Sequence, residues 1–231
     1  MISDYYSKSK SLFYSLIITF PLFILYEIGI FYMFQANVPF SKNGADVLIE
    51  RFINMLGLNG YYAASSIIFI VFFLILLIQR KNFKTFNISF KYILVMIMES
   101  LLYALLLVLV LQNIYLFQGV NINSFNNFIL SIGAGLYEEL IFRFFLIFIL
   151  SKSFIFIFKM KEFSSLLLSV IASSVLFSMF HYLGEETFTP YSFTLRFIAG
   201  IYLSSIYINR GFGIVALTHA FYDLFVIFRL T

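Results

Sequence analysis

The chain has 231 residues, 62% of them hydrophobic and 11% charged, with a formal net charge of +4. That leaves too little polar surface to coat a soluble globule of this size, so the composition excludes a water-soluble domain and describes a polytopic membrane protein. The absence of cysteine excludes disulfides, thiolate catalysis and Cys-ligated metal, and the small positive excess lies at helix ends, where it speaks to topology rather than to nucleic acid.

Seven apolar stretches reach or approach the ~20 helical residues that cross ~30 Å of hydrocarbon. They run from about Ser11 to Phe34, Gly60 to Ile78, Tyr92 to Phe117, Asn126 to Leu150, Phe163 to Leu183, Ser192 to Ile208 and Gly213 to Leu230. The first follows Lys8 and Lys10 as a signal peptide would, but it is too long for a cleavable segment and no small-x-small site follows, so it reads as a retained anchor. Ser41 to Leu58 mixes Asp46, Glu50 and Arg51 with Val47, Leu48, Phe52, Ile53 and Leu56, a helical pattern suited to the interface rather than to spanning. No repeat, low-complexity tract or linker divides residues 1–231, so the expectation is a single all-α membrane domain, a polytopic bundle of about seven spanning helices. The 33 Phe and 16 Tyr supply lipid-facing and interfacial surface rather than a cofactor site.

Lys and Arg assign the orientation. With the N-terminus in the cytoplasm, Lys8, Lys10, Arg80, Lys81, Lys84, Lys91, Lys152, Lys159, Lys161 and Arg210 fall inside, against Lys42, Arg51 and Arg229 outside. The third and fifth loops carry no Lys or Arg, which agrees with an odd number of spans and a C-terminus outside.

Within this apolar chain, Glu138, Glu139 and Arg143 stand inside the fourth stretch. An ionisable group at the bilayer centre costs on the order of 3 kcal/mol, so such residues face a partner or a wet cavity and mark function. Glu139 and Arg143 are four apart on one helical face and can pair, while Glu138 points about 100° away and is left free. The two histidines, His181 and His219, both fall in or at the edge of late apolar stretches, with Phe177 one turn before the first and Asp223 one turn after the second, placed to orient its imidazole or balance its charge. A buried carboxylate is a general base for water, an imidazole beside it can hold that water, and a second imidazole with a polar partner can stabilise an oxyanion. Carboxylate and imidazole also suit zinc, although the compact HExxH arrangement is absent.

The ordered segments Glu138-Glu139-Leu-Ile-Phe-Arg143, Phe177-Ser-Met-Phe-His181 and His219-Ala-Phe-Tyr-Asp223 resemble the EExxxR, FxxxH and HxxxN/D motifs of the CPBP-family intramembrane proteases, which include CAAX-processing and bacteriocin-immunity members. The resemblance covers about Asn126 to Arg229 and implies a catalytic core over 126–229, behind N-terminal helices over 1–125. It implies Glu138 as the water-activating base, His181 as its partner at the water, His219 with Asp223 as the oxyanion-stabilising pair, and Arg143 as the clamp on Glu139. Asp223 stands where many members carry Asn, and an ionised Asp cannot donate to an oxyanion, so the resemblance leaves it either protonated or orienting His219. Tyr26-Glu27 and Asn43-Gly-Ala-Asp46 look like prokaryotic members linked to surface-protein sorting, which points to a bacterial cytoplasmic membrane.

The expectation is therefore an intramembrane endopeptidase acting on a membrane-associated protein or peptide, with the lipid bilayer as its other partner and no nucleic acid. No cofactor is favoured; if zinc is present, Glu138, His181 and His219 are its ligands. The alternatives from other classes are a non-catalytic immunity or partner-binding protein and a proton or cation relay. The bundle is expected to enclose a wet cavity lined by Glu138, Glu139, His181, His219 and Asp223. Arg196 is expected to bridge to Glu27 or Glu99, and Glu185 and Glu186 to lie in a solvated outer loop. Centring the fourth span near Glu138 and the fifth near Ala172 puts His181 roughly 13 Å nearer the outer face, which requires an offset fifth helix or a site off the midplane.

Overall fold

The computed structural model describes residues 2–58, 63–78, 88–111, 124–184 and 186–230, and every regular element among them is helical. In chain order these are α1 (Ile2–Ser9), α2 (Leu12–Gln35), α3 (Gly44–Met55), α4 (Ala63–Ile78), α5 (Phe90–Leu111), α6 (Ser124–Gly133), a π-helical segment (Ala134–Leu146), α7 (Ile147–Phe158), α8 (Glu162–Phe180) with a 3-10 turn (His181–Leu183), α9 (Pro190–Arg210) and α10 (Phe212–Leu230). Each of the seven apolar stretches carries helix. Among the described residues, Leu12–Gln35, Phe90–Leu111, Phe125–Phe158 and Glu162–Leu183 are long and apolar enough to cross a membrane, while Ser65–Ile75 and Phe212–Ile227 are shorter apolar helices. The cluster Arg80, Lys81 and Lys84, the residue Glu185 and the side chain of Arg229 lie outside the described residues.

The helix ends follow local chemistry. Ser11 caps α2 by accepting from the Tyr14 N–H, Thr189 caps α9 ahead of Pro190, and Asn43 caps α3 by accepting from the Ala45 N–H. Gly211, at φ +84°, is the single residue between α9 and α10, where a Cβ would also meet the Lys10 carbonyl at 2.9 Å. With 12 residues, α3 is too short to span; it buries Ala45, Asp46 and Ile53 and leaves Phe52 and Met55 exposed. Burial pushes the Asp46 carboxyl up to about 6.

Apolar residues all round a helix suit a central position. In α10 every residue from Phe212 to Ala220 is buried, and the two core clusters meet on it: one joins α2, α5, α9 and α10, the other joins α2, α3, α6, the π segment and the start of α10. The outer faces of α5, α7 and α8 expose large apolar side chains such as Leu109, Phe156 and Leu167, as a lipid-facing surface requires.

The structure corrects the ion pairing expected for the other membrane charges. Arg196 pairs with Glu186 through two contacts of 2.7 Å, Glu99 pairs with Arg210, and Glu27 accepts from the Tyr137 hydroxyl at 2.6 Å. Arg196 lies near the start of α9, beside the loop that holds Glu186, whereas Glu99 meets the far end of the same helix. Partners were set by position along the helix, which charge counting does not register.

The expected 13 Å mismatch also disappears. The fourth helix continues past Leu150 to Phe158, so Glu138 lies 20 residues before that end and His181 lies 19 residues after Glu162, the start of α8. Counted from the shared α7–α8 turn, the two residues reach the same depth.

Candidate active site

Glu138, Glu139 and Arg143 lie on the π-helical segment, a rare conformation that recurs at functional sites. All three side chains are buried, Glu139 and Arg143 almost completely. Arg143 Nη1 is 2.9 Å from Glu139 Oε1, an ion contact rather than a well-aligned hydrogen bond, and the guanidinium carbon sits 4.2 Å from the Phe177 ring centre. The pair expected from i,i+4 spacing is present, with an aromatic face as its second support.

Glu139 Oε1 also receives His219 Nδ1 at 2.6 Å. Because a carboxylate oxygen accepts, Nδ1 carries the proton and the ring is held by its inner edge. The outer nitrogen, Nε2, faces Asp223 Oδ2 at 3.8 Å and Glu138 Oε2 at 4.0 Å. Asp223 is therefore beside His219 as its spacing implied, but the hydrogen bond that orients the ring comes from Glu139, on another helix.

His181 Nδ1 lies 2.9 Å from the Phe177 carbonyl, an acceptor, so this nitrogen donates and Nε2 of the neutral ring keeps its lone pair. Phe177 ties the three motifs together: its ring centre is 5.0 Å from that of His181, 5.9 Å from that of His219 and 5.4 Å from that of Phe142. Its spacing to His181 was legible in the sequence, but its contacts with the other two helices were not.

A small cavity of ≈ 40 Å³ is lined by His181, His219, Asp223, Arg196, Phe177 and Tyr222 among others. The rest of its wall is aliphatic, from Leu107, Leu111, Leu195, Ala199 and Leu203, and a cavity of this size with several polar groups on it has room for water. The expected lining is corrected in two places: Glu138 and Glu139 are not among the wall residues. Glu139 Oε1 is taken by Arg143 and His219, and Glu138 turns toward α3, where its Oε1 accepts from Asn43 Nδ2 at 2.9 Å. The Oε2 atoms of both carboxylates are buried and have no hydrogen-bond partner. Asn43 was legible as part of an Asn-Gly-Ala-Asp segment, but nothing in its spacing announced a contact 95 residues away.

The zinc alternative can be tested on the donor set. Among the described residues no three His, Asp or Glu side chains converge as metal ligands. The residues Glu138, His181 and His219 do not form a zinc site in this arrangement.

Close approach of α10 to the π segment makes the Glu139–His219 bond possible. A Cβ on Gly135 would lie 2.4 Å from the Ala216 carbonyl oxygen and 2.7 Å from the Ala220 Cβ. Gly135→Val is expected to force these helices apart, lowering stability by about 1–3 kcal/mol and removing activity. Thermal unfolding in detergent together with a cleavage assay checks this; a Val variant with unchanged melting and turnover would remove Gly135 from the account.

Residues 120–225 match the family described as type II CAAX prenyl endopeptidase Rce1-like. The matched segment is a little under half of the chain. It holds Glu138, Glu139, Arg143, His181, His219 and Asp223, and it excludes Asn43 and all of α2 and α3. Curated proteins and solved structures gave no match. The long apolar helices are those of an integral membrane protein, and the similarity over residues 120–225 supports an endopeptidase role.

Proposed function

We propose that this protein hydrolyses a peptide bond of a membrane-associated protein or peptide using water activated by Glu138. The observation that carries the reading is the Glu138 carboxylate, buried, with Oε1 held by Asn43 and Oε2 unpartnered, 4.0 Å from His219 Nε2. Glu139 also has an unpartnered oxygen, Oε2, but its Oε1 carries both Arg143 and His219, whereas Glu138 carries no cation and its free oxygen stands beside the outer nitrogen of an imidazole that lines a water-sized cavity.

In the proposed cycle, Glu138 Oε2 takes a proton from water, whose oxygen adds to the scissile carbonyl carbon. His181 Nε2, free because Nδ1 donates to Phe177, accepts a hydrogen bond from the same water and fixes its direction. Charge developing on the carbonyl oxygen is met by His219, whose Nε2–H is a donor when the ring carries both protons, with Glu139 bracing Nδ1 and Asp223 balancing the charge. Glu138 then delivers its proton to the amide nitrogen, the C–N bond breaks, and a new carboxyl and amine leave. The reading is tested by comparing processed protein termini in cells that make the wild-type protein and in cells that make Glu138→Gln. Identical sets of termini would overturn it.

We also place the N-terminus in the cytoplasm and the C-terminus outside. In support, Tyr6 donates to the Asn209 carbonyl, Arg210 to Ser9, and Tyr92 to Asp4, so the segments assigned inside by their Lys and Arg gather at one end of the bundle. The cysteine-free chain allows a direct check. A membrane-impermeant maleimide added to intact cells is expected to label Thr187→Cys and to spare Lys161→Cys, both exposed positions; the reverse pattern would invert the topology.

A further inference from the structure

We infer that Asn43, which lies outside the Rce1-like region, is a positioning residue for Glu138, so that the working site is completed by the start of α3. The inference rests on the reading of Glu138 as the base. Asn43 is the N-cap of α3, buried to 7% exposure, and its amide orientation is determined by chemistry rather than by choice. Oδ1 accepts from the Ala45 N–H at 2.9 Å, a bond that only an oxygen can make, so Nδ2 is directed at Glu138 Oε1, also at 2.9 Å. Flipping the amide would set N–H against N–H at one end and oxygen against carboxylate at the other.

Asn43 is itself fixed. Its backbone N–H donates to the Tyr26 hydroxyl at 3.1 Å, and that hydroxyl donates to Asp46 Oδ2 at 2.9 Å. The Tyr26 ring packs 5.0 Å from that of Tyr137, the residue just before Glu138. Gly133 makes room for this arrangement, since a Cβ there would lie 2.4 Å from the Tyr26 ring and 3.1 Å from the Asn43 Cβ. One oxygen of Glu138 is thus held by a hydrogen-bonded network on α2 and α3, and the planar carboxylate presents the other toward His219. Without the clamp, the carboxylate turns about its terminal torsion, and Oε2 loses its aim at the water.

Asn43 has two separable duties, and the test uses that. Asn43→Ser keeps an N-cap oxygen, so α3 remains capped, but deletes the Nδ2 donor. With a membrane-anchored peptide drawn from the wild-type cleavage set as probe, Asn43→Ser is expected to lower kcat about ten- to a hundredfold, the scale of a lost hydrogen bond to a charged group, at nearly unchanged KM and melting temperature. In infrared spectra, the carboxylate stretching band that vanishes in Glu138→Gln is expected to shift in Asn43→Ser. Wild-type kcat with an unmoved band would overturn the inference, as would a loss of kcat that merely tracks a loss of melting temperature. If Glu138→Gln is inactive while Asn43→Ser is fully active, only the role of Asn43 fails; if Glu138→Gln itself cleaves, the reading of Glu138 fails first.

Discussion

Glu138→Gln is expected to leave expression, membrane level and melting temperature near wild type while cutting turnover by about 10²–10⁴, the usual contribution of a positioned general base. Gln is isosteric, and its side-chain oxygen can still accept from Asn43 Nδ2, so the clamp on Oε1 survives. What disappears is the proton acceptor at Oε2, which in the folded protein has no other partner. Loss of fold rather than of rate would mean that Glu138 is a structural carboxylate. Full turnover in the variant would place the base elsewhere.

Glu139→Gln is expected to act in the opposite order, on stability first. Arg143 is buried, its ion-pair partner is the Glu139 carboxylate, and the Phe177 ring and the more distant Glu138 charge add to that support. Removing the carboxylate leaves a buried cation unpaired, at a cost of about 3–5 kcal/mol. Replacing both partners, in Glu139→Gln/Arg143→Met, is expected to recover most of that stability, because no unpaired charge remains. Activity is not expected to return, since His219 Nδ1 still lacks the ionised partner that holds it at 2.6 Å. Chemical denaturation of the single and double variants, with turnover measured in parallel, checks both halves. A double variant no more stable than Glu139→Gln would show that the ion pair is not what the fold depends on.

These variants separate what local spacing could reveal from what it could not. The i,i+4 relation of Glu139 to Arg143 and the one-turn steps from Phe177 to His181 and from His219 to Asp223 are intrahelical, so the helical repeat alone was enough to read them. The Glu139–His219 bond, the Phe177 ring beneath Arg143 and the Asn43 clamp join residues on different helices, and helical periodicity says nothing about which faces meet. The misassigned partners of Arg196 and Glu99 have the same cause. The apparent depth mismatch of His181 arose because hydropathy faded at Leu150 while the helix ran on to Phe158 through Lys152, a residue that sits at a membrane edge without ending a helix.

The amino-acid sequence by itself determined the all-α membrane class, because 62% hydrophobic residues cannot be coated in water, and it determined the positions of the apolar helices and the residues able to do chemistry among them. Tertiary structure alone decided which partners each of two adjacent carboxylates meets. Glu138 and Glu139 are equivalent in composition and nearly so in local environment along the helix. They are distinguished only when α10 approaches over Gly135 and brings His219 to Glu139, and when α3 brings Asn43 to Glu138. The physical reason is that an ionisable group in a low-dielectric interior takes its role from the partners within hydrogen-bonding distance, and here those partners come from parts of the chain 80 and 95 residues away.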